Sequence, residues 1–532
     1  MKCIKELKFE ELTLEQKLGM TLIGYCHSNT DEAKVAYLEE MIKKRALGAV
    51  WVLGVFEKGG DFLKRFIDAA DYPLLVFSDA ESGFGYENRI GMHNSIGVTD
   101  SEELAYTFGK VTALNARKYG INVVCNPVVD MTENNVTCGG VTRSLGSDKE
   151  RVTALAAAIV RGMHDAGVLA VLKHYPGNTK SSIYIDSHMG ETNSDETAAE
   201  LLDYNLYPYV ELNKMGLADG VMLGHSRFYN IDEKYPASLS KEVIGVFRKQ
   251  GFEGFAITDA LSMMGVVAKF GKKGSVGLAV GNAAEIALAW NHDNELVMSW
   301  LKESYEEGVI TPERLDEAVK RVLAAQHKVA LMQPKFDAVT EEDIKTFNRI
   351  NTDSVYAKFD EGFTPALDRN GKYLFTVMTR DEVNLNDEGV DVDTMRSNWY
   401  NPARVKERLL ELFPNSTVTT VSEYPNSNRI WRYMDESAKF DDVVFVTYYN
   451  MSAYLGVERF TPRIPSLFHA LQASGKVSTV LHFGNPYVLE ELPHVPRVII
   501  GTHSSMGVEA GLNVLGGEYP AKGKLTYKVN LQ

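Results

Sequence analysis

An Asp–His pair in the first half of the chain has the chemistry of a proton shuttle. Asp186 and His188 lie on either side of Ser187 in a polar loop. In extended backbone the side chains at i and i+2 point to the same side, so the carboxylate can accept a hydrogen bond from one ring nitrogen. That bond fixes the tautomer and makes the other nitrogen more basic. Taken alone, a motif this short more often marks a solvated loop.

A cation and an imidazole close an apolar run a few residues upstream. Lys173 and His174 end this run, and Pro176 and Gly177 follow one residue later. One fixed positive charge and one hydrogen-bonding ring at a pocket floor suit the hydroxyl groups of a sugar. The Pro-Gly pair then ends the strand and opens the loop that carries the Asp–His pair.

A single carboxylate ends another apolar run. Asp259 follows the run Phe255–Ile257 and precedes a turn. A carboxylate at this place can be a nucleophile, a metal ligand or the N-cap of the next helix. Without other information, the helix cap is the default interpretation.

These residues must be positioned by an alternation of strands and helices. Helical periodicity separates the apolar runs, for example in Glu102–Lys118, Lys149–Ala166 and Ser240–Gln250. Eight alternations predict a (β/α)8 barrel, although periodicity alone does not separate a barrel from a doubly wound sheet. The eight predicted strands lie around Leu18–Ile23, Leu47–Leu53, Pro73–Phe77, Ile121–Cys125, Val168–Leu172, Gly220–Leu223, Phe255–Ile257 and Glu285–Ala289.

The placement of polar residues favours the barrel. Charged, amide and imidazole side chains follow the carboxyl ends of six predicted strands. A barrel gathers such ends into one pocket, whereas the outer strands of an open sheet are too far apart to share one. These residues are Asp79, Asn126, Asp130, Lys173, His174, His225, Asp259 and the run Asn291–Asp293.

A second, shorter alternation of predicted strands and helices follows a polar stretch. We predict an α/β chain with an N-terminal (β/α)8 TIM-like barrel and a smaller C-terminal α/β/α sandwich. The catalytic barrel would span residues 1–335, a linker 336–371, and the sandwich 372–532. The 532-residue length is consistent with two domains.

Composition and charge exclude several classes of function. The net charge of −15 argues against nucleic acid or an anionic membrane as the main partner, because both need a basic face. The charged N-terminus lacks the apolar core of a signal peptide, and no apolar stretch is long enough to span a bilayer. These features predict a cytoplasmic protein. The four cysteines form no CxxC pair, so neither a zinc site nor a disulfide framework is predicted.

Together, the motifs resemble those of family-three glycoside hydrolases, specifically the bacterial β-N-acetylglucosaminidase (β-N-acetylhexosaminidase) branch. KHYPGN, DSH and TDALSM occur here in the order of that branch's Lys-His-Phe-Pro-Gly-His strand end, Asp-Ser-His loop and nucleophile strand. SDAESGFG, NPVVDM, TRSLGSD and PASLSKEVI are further matches, and HFGNPYVL and LGGEYPAKGKL resemble the family's C-terminal domain. The resemblance therefore covers nearly the whole chain.

The resemblance implies a retaining exo-hydrolase that acts in carbohydrate metabolism without a cofactor or metal. Asp259 would attack the anomeric carbon, and His188, oriented by Asp186, would act as acid and then as base. The substrate would be the terminal, non-reducing β-N-acetylglucosaminide of a small soluble glycan, such as a peptidoglycan or chitin fragment. Four further residues match family positions that hold sugar hydroxyls: Asp79, Arg143, Lys173 and His174.

The chain departs from the family pattern at three places. Asn178 replaces the histidine of Pro-Gly-His, Ser82 replaces a glycine after Glu81, and only Arg89 lies near the position of a family arginine. These changes leave the reaction type standing and leave the leaving group, and with it the sugar, open.

The sequence leaves three alternative functions open. A phosphorylase on the same scaffold would use phosphate in place of water, because a neutral histidine acid/base does not repel phosphate as a carboxylate would. A catalytically silent sugar-binding protein and a β-glucosidase are the other two. Neither the aglycone nor the oligomeric state is specified by the sequence.

Overall fold

The computed structural model describes residues 5–85, 88–133, 141–177, 186–379, 400–449, 459–502 and 504–531. Nine short strands lie in the described residues of the first part of the chain. They are β1 (Ile23–Cys26), β2 (Ala49–Val52), β3 (Leu75–Asp79), β4 (Val123–Cys125), β5 (Leu169–Tyr175), β6 (Asn193–Ser194), β7 (Gly220–Leu223), β8 (Arg227–Phe228) and β9 (Phe255–Thr258).

Helices lie between these strands and after the last of them. They are α1 (Leu14–Met20), α2 (Glu32–Lys43), α3 (Lys58–Ala69), α4 (His93–Thr99), α5 (Glu102–Arg117), α6 (Lys149–Asp165), α7 (Ala198–Asp203), α8 (Tyr207–Lys214), α9 (Lys241–Arg248), α10 (Met264–Leu278), α11 (Asn294–Glu306) and α12 (Pro312–Leu331). The longest described helix, α12, begins at a capped first turn, in which Thr311 accepts a hydrogen bond from the N–H of Arg314 and Pro312 follows the cap.

Seven strands form one curled parallel sheet in the order β1-β2-β3-β4-β5-β7-β9. Both edges of this sheet contact the same short segment. Ile286 bridges Ile257 in β9, and Ala287 bridges Leu22 next to β1. The Ala287 N–H donates to Thr21 O at 2.8 Å, so the segment joins the two edges through main-chain hydrogen bonds. The α/β fold with a curled sheet therefore brings the carboxyl ends of its strands to one side.

Two of the predicted strands differ in the structure. The run Leu18–Ile23 begins as helix, because a capping box between Thr13 and Gln16 starts α1 and the strand begins only at Ile23. The run Glu285–Ala289 makes bridges rather than a full strand. Glu285, the first residue of this run, pairs with Ala256 through its main chain. Its side-chain Oε2 also accepts the Ala256 N–H at 2.6 Å.

The second part of the chain forms a six-stranded sheet in the order β10-β15-β14-β13-β11-β12, parallel except for β10. Its strands are β10 (Tyr356–Phe359), β11 (Tyr373–Thr379), β12 (Thr417–Ser422), β13 (Asp442–Tyr449), β14 (Val477–Gly484) and β15 (Arg497–Gly501). Its helices are α13 (Glu341–Asp353), α14 (Pro402–Leu412), α15 (Ser427–Ser437), α16 (Arg463–Ala473) and α17 (Ser505–Leu515).

The stretch 336–371, predicted to be a linker, contains α13 and β10, and β10 pairs with β15 at the edge of the second sheet. A half-exposed edge strand lacks the continuous apolar run of a central strand, which is why the sequence did not reveal it. The two parts of the chain touch near the loop after β4: the Tyr487 hydroxyl donates to Thr132 O at 3.3 Å, and the Ser147 N–H donates to Thr526 O at 2.9 Å.

Among the described residues, no helix is both long enough and apolar enough to cross a membrane.

Candidate active site

The structure joins the predicted Asp–His pair by two hydrogen bonds. His188 Nδ1 lies 2.7 Å from Asp186 Oδ1, and the His188 backbone N–H donates to the same oxygen at 2.9 Å. The Asp186 side chain is buried, with 6% of its surface exposed, whereas the His188 side chain is 23% exposed. A buried carboxylate therefore orients a ring that solvent still reaches, which is the arrangement a proton shuttle requires.

The loop carrying this pair is attached to the start of α10. The Gly265 N–H donates to Ser187 O at 2.8 Å, and the Met264 N–H donates to His188 O at 3.3 Å. A Cβ atom on residue 265 would lie 2.9 Å from the carbonyl oxygens of Ser187 and Gly190, so glycine permits this approach. Since α10 begins five residues after Asp259, the loop after β5 and the turn after β9 are fixed to each other.

Asp259 lies at the end of β9 in a half-buried position. Its N–H donates to Leu223 O in β7 at 2.9 Å, and its Oδ1 accepts from the Ala260 N–H at 2.7 Å. Burial raises the pKa of Asp259, but His174, His225, the Ala260 hydrogen bond and Lys173 outweigh burial, and the net shift is downward. The carboxylate is therefore ionised at neutral pH, as a nucleophile must be.

Asp259 is not the helix cap that the sequence allowed. The residue preceding α10 is Met263, which makes no side-chain capping bond. Within the described ranges, no group of three or more His, Cys, Asp or Glu side chains is arranged to hold a metal ion.

Lys173 lies near the carboxyl end of β5, between two carboxylates. Its Nζ is 2.5 Å from Asp79 Oδ1 and 2.6 Å from Glu81 Oε1. Burial would lower the pKa of this lysine, but Asp79 and Glu81 reverse that effect and raise the pKa above its ordinary value. The ammonium therefore stays charged, while the Asp79 side chain remains 51% exposed and accessible to a ligand.

Arg143 also binds the Glu81 carboxylate. The guanidinium donates from Nε to Glu81 Oε2 at 2.8 Å and from Nη2 to Oε1 at 2.7 Å. Burial opposes ionisation of Glu81, but Arg143 and Lys173 hold its pKa well below the ordinary value. The same Nη2 lies 2.9 Å from His174 Nε2, so the four residues form one network.

The predicted site residues did not include Glu81, and Asp130 was predicted only as one of the polar residues that follow the strand ends. Asp130 accepts two hydrogen bonds from His174, one from the backbone N–H at 2.8 Å and one from Nδ1 at 2.7 Å. A usable signal was present, since both carboxylates follow strands of the sheet. Along the chain, however, Glu81 lies 62 residues from Arg143 and 92 from Lys173, and Asp130 lies 44 residues from His174. Only the folded structure brings these pairs together, and spacing alone does not reveal them.

His225 is buried beside Asp259. Its Nδ1 lies 2.8 Å from Ser238 Oγ, and its Nε2 lies 3.0 Å from Ala260 O. Burial lowers the pKa of His225 despite the attraction of Asp259, so the ring is neutral and Nε2–H donates to the carbonyl. The charges of His188 and His174 also lower this pKa.

The remaining predicted polar residues have other surroundings. Asp293 caps α11 by accepting the Leu296 N–H at 3.0 Å. His292 contacts Thr30 through Nδ1 at 3.0 Å. The Arg89 side chain is exposed, and Asn178 lies outside the described residues.

Residues 16–325 match the model of the glycosyl hydrolase family 3 N terminal domain. The β-hexosaminidase LpqI of Mycobacterium tuberculosis is 35% identical over 272 residues, which is 47% of this chain and 67% of LpqI.

Two solved structures share the fold over 98% of this chain. A family 3 β-N-acetylglucosaminidase from Paenibacillus sp. has a TM-score of 0.78 at 24% identity and is covered over its full length, 100%. The β-glucoside phosphorylase BglX has a TM-score of 0.78 at 24% identity, with 94% of its chain covered. At this identity, the two similarities show the fold alone. The family model matches more than half of the chain. The chain is therefore a glycoside hydrolase and belongs to glycosyl hydrolase family 3.

Proposed function

We propose that this protein is a retaining exo-glycosidase that releases terminal, non-reducing β-N-acetylglucosamine from small soluble glycans. The observation that carries the proposal is the attachment of the His188–Asp186 pair to the start of the helix that follows Asp259. A proton shuttle and an ionised carboxylate held at one sheet end are the two groups that double displacement at an anomeric carbon needs.

The proposed reaction has two steps. In the first, Asp259 attacks the anomeric carbon and His188 protonates the departing oxygen, which leaves a glycosyl ester on Asp259. In the second, His188 takes a proton from water as the water attacks the same carbon, and Asp259 is released. Asp186 stabilises the imidazolium form of the ring and holds its orientation through the 2.7 Å bond to Nδ1.

Sugar hydroxyls would be held by Asp79, Arg143, Lys173 and His174. Among the described residues, Lys173 uses two of its three N–H donors on Asp79 and Glu81, which leaves one for a ligand. The exposed oxygens of Asp79 offer acceptors beside it. Donors and acceptors fixed by buried partners lose little freedom when a sugar binds, which favours orientation of the anomeric carbon toward Asp259.

We also propose that residues 1–335 form a (β/α)8 barrel with 286–287 at the eighth strand position, joined through 336–371 to a sandwich at 372–532. The bridges of Ile286 and Ala287 to the two sheet edges support the barrel. The six-stranded sheet supports the sandwich, and β10 indicates that its boundary begins before residue 372. A cytoplasmic location stays a prediction from the sequence.

The names of the relatives support N-acetylglucosamine as the sugar, because LpqI is a β-hexosaminidase and the Paenibacillus protein is a β-N-acetylglucosaminidase. We expect aryl β-glucosides to be cleaved at least about 10²-fold less efficiently than the matching N-acetylglucosaminides. A site built around the 2-acetamido group leaves polar groups unpaired when that group is missing. A panel of aryl β-glycosides that differ only at the 2-position measures kcat/KM for each. Equal values for the two sugars would contradict this specificity and leave the family assignment unchanged.

A phosphorylase is the second candidate, and an imidazole in place of a carboxylate as the acid/base favours it, since an imidazole carries no negative charge to repel phosphate. Turnover of the same aryl N-acetylglucosaminide with and without inorganic phosphate separates the two activities. We expect free N-acetylglucosamine and a rate independent of phosphate. Formation of the sugar 1-phosphate would assign the protein as a phosphorylase.

A further inference from the structure

Asp130 binds His174 with both of its carboxylate oxygens. Oδ1 accepts the His174 backbone N–H at 2.8 Å, and Oδ2 lies 2.7 Å from the ring Nδ1. The two side chains are largely buried, with 13% of Asp130 and 16% of His174 exposed. A carboxylate that accepts both bonds fixes the orientation of the His174 ring and favours a ring proton on Nδ1.

The opposite nitrogen of the ring fixes the tautomer. His174 Nε2 lies 2.9 Å from Arg143 Nη2. A guanidinium nitrogen can only donate, so Nε2 must be the acceptor in this contact and carries no proton. The single ring proton therefore lies on Nδ1 and is donated to Asp130. The ring is neutral, with its lone pair directed at Arg143.

This arrangement accounts for the donors of Arg143. A guanidinium has five N–H bonds. Nε donates to Glu81 Oε2, and Nη2 donates one hydrogen to Glu81 Oε1 and one to His174 Nε2. Across the residues that the structure describes, no hydrogen bond is made by Nη1. Since the Arg143 side chain is 25% exposed, the two Nη1 hydrogens are the donors that remain for a ligand.

We propose that Asp130 is a positioning residue that holds His174 as the Nδ1-protonated tautomer and, through it, directs the Nη1 donors of Arg143 to the sugar hydroxyls. The inference rests on the proposed function, because it takes Arg143 to be a sugar-binding residue. In this role Asp130 acts through His174 and not on the reacting atoms.

The replacement Asp130→Asn tests this role, because an amide cannot accept both bonds. If its oxygen accepts the backbone N–H, its NH2 group faces Nδ1 and favours the tautomer with the proton on Nε2, which then opposes an Arg143 N–H. If its oxygen faces Nδ1, the NH2 group opposes the backbone N–H. In the first arrangement Arg143 loses its bond to His174 and keeps only its two bonds to Glu81; in the second, the bond of the His174 backbone N–H is lost.

The first readout is the ¹⁵N NMR spectrum of the histidine rings in the full-length protein without substrate. The signals of His174 are assigned by their loss in His174→Asn. We expect the parent ring to be protonated on Nδ1 and the ring in Asp130→Asn to shift toward Nε2 protonation. Asp130→Glu keeps a carboxylate and should retain at least part of the parent pattern. A parent ring that carries its proton on Nε2 would overturn the inference.

The second readout is how the kinetic effect of Asp130→Asn divides between KM and kcat. We expect Asp130→Asn to raise KM for an aryl N-acetylglucosaminide by about 10- to 100-fold, with a smaller change in kcat, because a ground-state contact to a charged donor is lost. The matched control is Asp360→Asn, which alters an exposed Asp–His pair in which Asp360 Oδ2 lies 2.8 Å from His494 Nε2. Parent-like KM and ring signals in a folded Asp130→Asn would refute the positioning role.

The two readouts separate this inference from the proposed function. The ring spectrum needs no substrate, so a failure of the N-acetylglucosamine specificity appears in the substrate panel and leaves the tautomer measurement intact. An active enzyme with the wrong tautomer contradicts only the role of Asp130.

Discussion

Replacing Asp259 by asparagine should lower kcat by several orders of magnitude without unfolding the protein. The amide cannot form the glycosyl ester on which the proposed reaction depends. The fold should persist, because the amide oxygen can still accept the Ala260 N–H that Asp259 Oδ1 accepts at 2.7 Å. Purified Asp259→Asn is assayed with an activated aryl N-acetylglucosaminide, and its circular dichroism spectrum and thermal midpoint are compared with those of the parent.

The control for this experiment is Asp360→Asn, the same substitution at an exposed carboxylate directly after β10 of the second sheet. It should leave both activity and stability at parent values. Activity of Asp259→Asn within tenfold of the parent would remove Asp259 from the role of nucleophile, whatever the control shows.

The second large effect should depend on the leaving group. We expect His188→Ala to slow substrates with poor leaving groups, such as disaccharides, by about 10²- to 10⁴-fold, the usual contribution of general acid catalysis. Activated aryl glycosides need no proton for bond cleavage, so their first step should change much less. The measurement is kcat/KM across a series of leaving groups of known pKa, in which the variant should show a steeper dependence than the parent.

Asp186→Asn should give a milder form of the same result. Its amide oxygen can keep both bonds that Asp186 Oδ1 accepts from His188, but the negative charge that stabilises the imidazolium is lost. His494→Ala, at an exposed histidine, is the matched control and should leave the series unchanged. Equal losses for poor and good leaving groups in His188→Ala would mean that His188 is not the general acid.

The sequence predicted the strand ends well because each is a short apolar run followed by polar residues. Gly220–Leu223 was predicted with both bounds correct, and Lys173, His174 and Asp259 lie where the carboxyl ends of β5 and β9 place them. In contrast, Leu18–Met20 was assigned to a strand. Three apolar residues fit a buried strand and a buried helical turn equally, and here the Thr13 cap decides for the helix.

The network around Arg143 was less predictable for a different reason. The resemblance to the family suggested Arg143, Lys173 and His174 as separate binding groups. It did not reveal that Glu81 joins the first two or that Asp130 fixes the third, since these bonds connect loops after different strands. Sequence spacing describes pairs such as Asp186 and His188, two residues apart, and does not describe pairs that only the sheet brings together.

The most direct test of the central proposal is to trap the covalent intermediate. A 2-deoxy-2-fluoro glycoside with a good leaving group forms the ester quickly and loses it slowly, because fluorine destabilises both oxocarbenium-like transition states while the leaving group accelerates only the first step. Mass spectrometry of the whole protein should show one added glycosyl group, and the peptide digest should place it on Asp259. An adduct on another residue, or a catalytically active enzyme that turns over this reagent without any adduct, would contradict the proposed nucleophile.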